Sequence, residues 1–251
     1  MKAAVFWKSA GGILVLWIVC VAALLTVHTA AESVESPATL PAVGRILFLG
    51  NSITRHGPKP DIGWTGDWGM AASAVEKDYV HVLASTLAAR TGTAPEVLVE
   101  NIADFERTPD TFDFKARLEK SLAFKAEIIV LAIGENVPVL RTDAAKAAFR
   151  EHFKRLLAAI RGREGTAVFV RSCFWPDAAK DEILRQVSAE MGAVFVDISA
   201  LGRDPANQAR AERQITHDGV AAHPGDKGMK AIADALLKAI NDRAAARKES
   251  K

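Results

Sequence analysis

The stretch Arg45-Ile46-Leu47-Phe48-Leu49-Gly50-Asn51-Ser52-Ile53-Thr54 decides how the chain is read. An apolar run with no polar alternation stops abruptly at Gly50-Asn51-Ser52. A strand with one solvated face alternates polar and apolar residues, so an unbroken run marks a strand covered on both faces. Glycine and asparagine end it and deliver Ser52 to the carboxyl edge of a sheet, where ligands bind in open α/β folds. A serine after a strand more often serves a turn or a helix cap. Its meaning therefore depends on what other loops bring to the same edge.

Working outward, further apolar runs alternate with segments of helical spacing. Glu96–Asn101 and residues 127–134, 166–172 and 193–197 read as strands. Residues 68–91, 111–122, 143–161, 177–191 and 226–243 read as helices, the last with Asp226 as its N-cap. Buried strands alternating with helices imply an α/β fold, a three-layer α/β/α sandwich with a five-stranded parallel sheet of flavodoxin-like order. In that order the first and third strands are neighbours. Two long connections, residues 55–67 and 201–225, are of a length usually kept for function.

Both ends differ from this central part. Lys2 and Lys8 precede an apolar run over residues 11–27, and His28-Thr29-Ala30-Ala31 follows it. That pattern reads as a secretory signal peptide cleaved after Ala31. A run of about 17 apolar residues is also at the lower limit of a bilayer span, so an uncleaved N-terminal anchor is the alternative. Export to the periplasm or beyond is expected in either case, with membrane contact only through that segment. Residues 32–43 read as a Ser/Pro/Ala-rich linker, residues 44–245 as one domain and residues 246–251 as a charged tail. The chain carries 32 Lys and Arg against 30 Asp and Glu, a balance that becomes even once Lys2 and Lys8 leave with the signal. A nucleic-acid partner, which favours a clustered basic face, is not expected. Cys173 would then be the one remaining cysteine, unable to form an intramolecular disulfide and expected as a buried small hydrophobe. No metal-ligand spacing, Gly-x-Ser-x-Gly elbow or phosphate-binding glycine loop is present, so neither metal nor cofactor is expected.

Three loops carry residue types suited to acyl chemistry. Ser52 ends the first strand. Gly134-Glu135-Asn136 ends the third, where an Asn side chain can aim its N–H at a developing oxyanion. His217-Asp218-Gly219-Val220-Ala221-Ala222-His223-Pro224 precedes the last helix, and a histidine fixed there suits a general base. His56, in the loop after Ser52, is a candidate pocket residue. The order Gly50-Asn51-Ser52, Gly134-Glu135-Asn136 and His223-Pro224, each on the expected element, resembles the SGNH (GDSL-type) hydrolase superfamily over most of the chain.

The resemblance implies an ester hydrolase in which Ser52 is the nucleophile and His223 the base. It further implies an oxyanion hole made by the main-chain N–H groups of Ser52 and Gly69 and the side chain of Asn136. Asn51 stands where the family usually has Asp. The position three residues before the histidine, where the family places its acid, holds Val220. Asp218 is expected to serve as the triad acid through a lengthened loop; otherwise a backbone carbonyl orients a Ser–His dyad. Trp64, Trp68 and Trp175 are expected, with Glu135, to wall the substrate site, a use of flat apolar rings that suits sugars or acyl chains. The implied substrate is a small-molecule or glycan ester, favouring a short acyl group on a carbohydrate. A non-catalytic glycan-binding module and an O-acyltransferase of envelope glycans are the alternatives, and oligomeric state is not legible.

Overall fold

The computed structural model describes residues 43–161 and 165–249. The signal peptide or anchor, and the linker up to residue 42, lie outside the described residues. No helix among the described residues is long and apolar enough to cross a membrane.

Five strands form one all-parallel sheet: β1 (Arg45–Gly50), β2 (Glu96–Asn101), β3 (Ile128–Ala132), β4 (Ala167–Arg171) and β5 (Val194–Val196), in the order β2-β1-β3-β4-β5. The order reverses direction at β1, so the chain leaves β1 and β3 on adjacent strands, with Gly50 in register with both Asn101 and Ala132. Side-chain alternation explains the unbroken apolar runs. Leu47, Leu49, Ile129, Leu131, Val168 and Val170 face one core, which also holds Phe153, Leu156 and Leu184. Ile46, Phe48, Ile128, Val130 and Phe169 face the other, with Leu83, Met229 and Leu236.

The helices supply those two covers. On the first side lie α3 (Phe114–Ala123), α4 (Asp143–Ile160) and α5 (Ala178–Glu190); on the second, α1 (Tyr79–Thr91) packs against α8 (Asp226–Glu249). Short helices α2 (Ala103–Arg107), α6 (Ser199–Arg203) and α7 (Asp218–Ala221) sit within connections.

Three sequence readings are revised. The helix expected over residues 68–91 begins only at Tyr79, because the Asp78 carboxylate caps it by accepting the His81 N–H at 2.8 Å. Residues 64–71 instead fold a small cluster of Trp64, Met70 and Ala71 onto Ala209 and Val220. Asp226 is not the cap of α8. Its carboxylate accepts from the Ser73 N–H and hydroxyl, while Glu212 takes the Asp226 and Lys227 N–H groups at 2.8 Å each. The last helix also runs on to Glu249 through most of the expected tail, since Ala244-Ala245-Ala246 are strong helix formers and Arg247 and Lys248 suit its negative end.

Candidate active site

Ser52 lies in a turn set by its neighbours. The Asn51 carbonyl accepts the N–H groups of Thr54 and Arg55, and the Ser52 carbonyl accepts that of Met70 at 2.8 Å. Gly50 is required by closeness: a Cβ there would sit 2.0 Å from Thr54 Oγ1 and 2.9 Å from the Ala132 carbonyl. Among the described residues the Ser52 main-chain N–H meets no protein acceptor.

His223 comes from the connection between α7 and α8, and its Nε2 lies 2.9 Å from Ser52 Oγ. Its Nδ1 lies 2.6 Å from the Gly219 carbonyl oxygen. A carbonyl only accepts, so Nδ1 carries the proton and Nε2 presents its lone pair to the serine hydroxyl. The carbonyl is available for a local reason. In the one-turn helix α7, the N–H groups of Ala221, Ala222 and His223 go to His217, Asp218 and Val220, which leaves Gly219 among the orphan carbonyls of a helix end. Trp175 packs edge-to-face on the imidazole, ring centroids 4.9 Å apart, and donates its indole N–H to the Ala222 carbonyl. Burial, with the residue only 9% exposed, pushes the His223 pKa down to about 4. The Gly219 hydrogen bond and the charge of Glu135 oppose this, while His56 and His217 reinforce it.

The loop after β3 is held from below. Gly134 has φ +126°, and a Cβ on it would meet Cys173 Sγ at 2.4 Å, so only glycine fits this turn. Buried Lys180 donates to the Gly134 and Val137 carbonyls, at 3.2 and 2.6 Å. The Glu106 carboxylate accepts from the Gly134 and Asn136 N–H groups, at 2.5 and 3.2 Å, and from Asn136 Nδ2 at 2.7 Å. Asn51, fully buried, donates to Glu106 and to Glu135, at 3.3 and 2.7 Å. Glu135 in turn pairs at 2.5 Å with Arg171, the buried last residue of β4. Burial opposes the charge on Glu135, but the charge and hydrogen bond of Arg171 outweigh it and hold the carboxyl below its usual range. Glu106 is pushed up, first by burial and then by the facing Glu135.

Several expected roles do not survive this geometry. Asp218 is not at the imidazole: its side chain is 98% exposed, its nearest charged partner is Arg210 at 3.9 Å, and the Nδ1 position is taken by Gly219. Val220 points into the Trp64–Met70 cluster. The Gly69 N–H is committed to Asp78 Oδ2 at 3.1 Å. Trp64 is buried with its indole N–H on the His56 carbonyl, and Trp68 packs edge-on against it, donating to Ala72. Trp64 is therefore unavailable as a substrate wall, and Trp175 is engaged with His223. Glu135 is an internal counter-ion with its side chain 3% exposed. Ser52 and His223 are brought into contact, and Asn136 stands in the loop that follows β3, the strand beside β1. The residues that sequence reasoning missed are Glu106, Arg107, Arg171 and Lys180; the carbonyl at His223 Nδ1, expected as the alternative to Asp218, is that of Gly219.

A parallel sheet of this order, with a serine and a histidine in contact beyond its carboxyl edge, defines the class: an α/β ester hydrolase. The chain belongs to the GDSL-like lipase/acylhydrolase family, whose model matches residues 48–231. Solved structures agree in fold. A family 3 carbohydrate esterase from Clostridium thermocellum superposes with a TM-score of 0.52 at 16% identity, covering 80% of this chain and 97% of that one. An extracellular lipase from Streptomyces rimosus gives 0.50 at 16% identity, with 78% and 99% covered. A two-domain esterase active on acetylated mannans gives 0.51 at 14% identity, with 80% and 49% covered. No curated protein matches the chain by sequence.

Proposed function

We propose that the protein is an exported serine esterase that removes short acyl groups from carbohydrate esters with a Ser52–His223 dyad. The observation that carries this reading is the 2.9 Å approach of His223 Nε2 to Ser52 Oγ, with the opposite ring nitrogen tied to a carbonyl. In this reading Ser52 Oγ attacks the ester carbonyl carbon while its proton passes to Nε2. The tetrahedral oxyanion is met by the Ser52 N–H and by the second Nδ2 hydrogen of Asn136, donors worth on the order of 3 kcal/mol each. Collapse breaks the bond to the alcohol, which takes the Nε2 proton and leaves. Water then attacks the acyl-enzyme by the same route, returning the proton to Ser52 through His223.

Burial suits His223 to this task, because a ring with a pKa of about 4 is neutral, and so a base, at neutral pH. The transient imidazolium is supported by the Gly219 carbonyl and, through space, by Glu135, in place of a triad carboxylate. The carbohydrate alcohol is supported by the use that this fold serves in the Clostridium thermocellum and acetylated-mannan esterases; the tryptophans lend it no weight. Export is supported by the N-terminal sequence pattern. Turnover of p-nitrophenyl acetate and of acetylated sugars is expected, and Ser52→Ala is expected to remove both. Undiminished hydrolysis by Ser52→Ala refutes the nucleophile, and hydrolysis of long-chain or lysophospholipid esters alone refutes the substrate class.

A further inference from the structure

Helix α2 presents two consecutive residues of opposite charge to the two ends of one amide. Glu106 Oε2 accepts from Asn136 Nδ2 at 2.7 Å, and Arg107 Nη2 donates to Asn136 Oδ1 at 3.0 Å. A guanidinium only donates, so the amide atom facing Arg107 is the oxygen and the one facing Glu106 is the nitrogen. Only one of the two orientations of the Asn136 amide satisfies both partners, so the direction of its second Nδ2 hydrogen is settled before any substrate arrives. The same Glu106 carboxylate accepts from Asn51 Nδ2 at 3.3 Å, beside the nucleophile, and from the main chain of Gly134 and Asn136. One buried side chain thus ties the Ser52 loop to the Asn136 loop.

This arrangement also accounts for Asn51. Its Nδ2 bridges Glu106 and Glu135, while its Oδ1 accepts the Ile53 N–H at 3.2 Å. An aspartate there would bring a third carboxylate against two others and have no hydrogen to donate to either.

We propose that Glu106 and Arg107 are positioning residues that act through Asn136, clamping its amide in the orientation that stabilises the oxyanion. The inference rests on the oxyanion role given to Asn136 above. Pre-orientation of this kind is where rate is gained, since a displacement of about 1 Å at a catalytic group can cost about 10²-fold. Both act on the Asn136 amide, which is needed most when the oxyanion forms, so the loss belongs in kcat and not in KM.

The test is kcat and KM for p-nitrophenyl acetate in Glu106→Gln, Arg107→Ala and Asn136→Ala, and in each of the first two combined with Asn136→Ala. Asn136→Ala is expected to lower kcat by about 10²-fold or more. Glu106→Gln is expected to lower it by about 10- to 100-fold and Arg107→Ala by about 3- to 10-fold, with KM within about twofold. In the Asn136→Ala background Arg107→Ala should reduce kcat further by no more than about twofold, and Glu106→Gln should lose less than it does alone, since its bonds to Asn51 and the Gly134 turn remain. Arg107 is exposed, so its variant folds even where the buried Glu106→Gln does not. If Asn136→Ala leaves kcat unchanged, the oxyanion assignment fails and the inference with it. If Asn136→Ala lowers kcat but the double variants multiply the single losses, or Arg107→Ala has no effect, the positioning role alone is overturned.

Discussion

Replacing Asp218 with Ala separates a dyad from a triad by several orders of magnitude. The Asp218 side chain is 98% exposed and reaches only Arg210, at 3.9 Å. An exposed pair of that length contributes about 0–1 kcal/mol to stability. The carboxylate also sits in the first turn of α7, where a helix of four residues offers at most about 0.5 kcal/mol of dipole interaction. The hydrogen bond that α7 makes to Arg210 uses the Asp218 carbonyl, which alanine retains. The carbonyl that fixes His223 belongs to Gly219 and is untouched. Asp218→Ala should therefore change kcat/KM by no more than about twofold. Loss of a true triad carboxylate costs about 10⁴-fold, or about 5.5 kcal/mol of transition-state stabilisation. Initial rates on p-nitrophenyl acetate at pH 7.5, with the circular dichroism spectrum as a check on folding, decide between the two. A fall of 100-fold or more in a folded variant refutes the carbonyl-oriented dyad.

Other consequences are equally direct. With the His223 pKa at about 4, the acidic limb of kcat/KM should fall near pH 4: activity is full above it and lost as the ring protonates, and a limb near 6.5 counts against the buried base. The same depression makes His223 contribute roughly 3 kcal/mol of stability that is present above pH 6.5 and lost as pH falls through 4, visible as a denaturation midpoint that declines over that window. Arg171→Met strands Glu135 without its counter-ion and should cost about 3–5 kcal/mol in urea unfolding, partly recovered by adding Glu135→Gln; a loss below 1 kcal/mol contradicts the pairing. Cys173 is buried and its thiol is pushed up, chiefly by burial, so the native enzyme should resist thiol reagents that react once it is unfolded.

Elements with a single physical cause were legible before any coordinates. β1 and β2 fall at the expected residues, because the β-branched and apolar stretches at residues 46–49 and 97–99 are too short for helices and are closed by Gly50 and Asn101. Ser52, Asn136 and His223 could be singled out because each follows an element of recognisable type. The start of α1 was missed because Met70 and Ala74, four residues apart, extend the helical spacing of Val82, Leu83 and Leu87 while lying in the preceding loop, and the true start depends on the Asp78 side chain. The partner of His223 was left open because a main-chain carbonyl has no residue-type signature. The charge network was hidden for a different reason. Glu106 and Arg171 are unremarkable in sequence and Glu135 reads as a pocket residue, and only the β2-β1-β3-β4 adjacency places the three together. The tryptophans misled because a loop position says nothing about which way an indole turns. Trp64 turns inward, and Trp175 braces the imidazole.

The most direct test of the dyad is covalent labelling with a fluorophosphonate, read by intact mass and peptide mapping. Wild-type enzyme should gain one adduct, on Ser52. Ser52→Ala should gain none, and His223→Ala should react at least about 100-fold more slowly because the hydroxyl has lost its base. An unlabelled wild-type enzyme, or an adduct that persists in Ser52→Ala, contradicts the account.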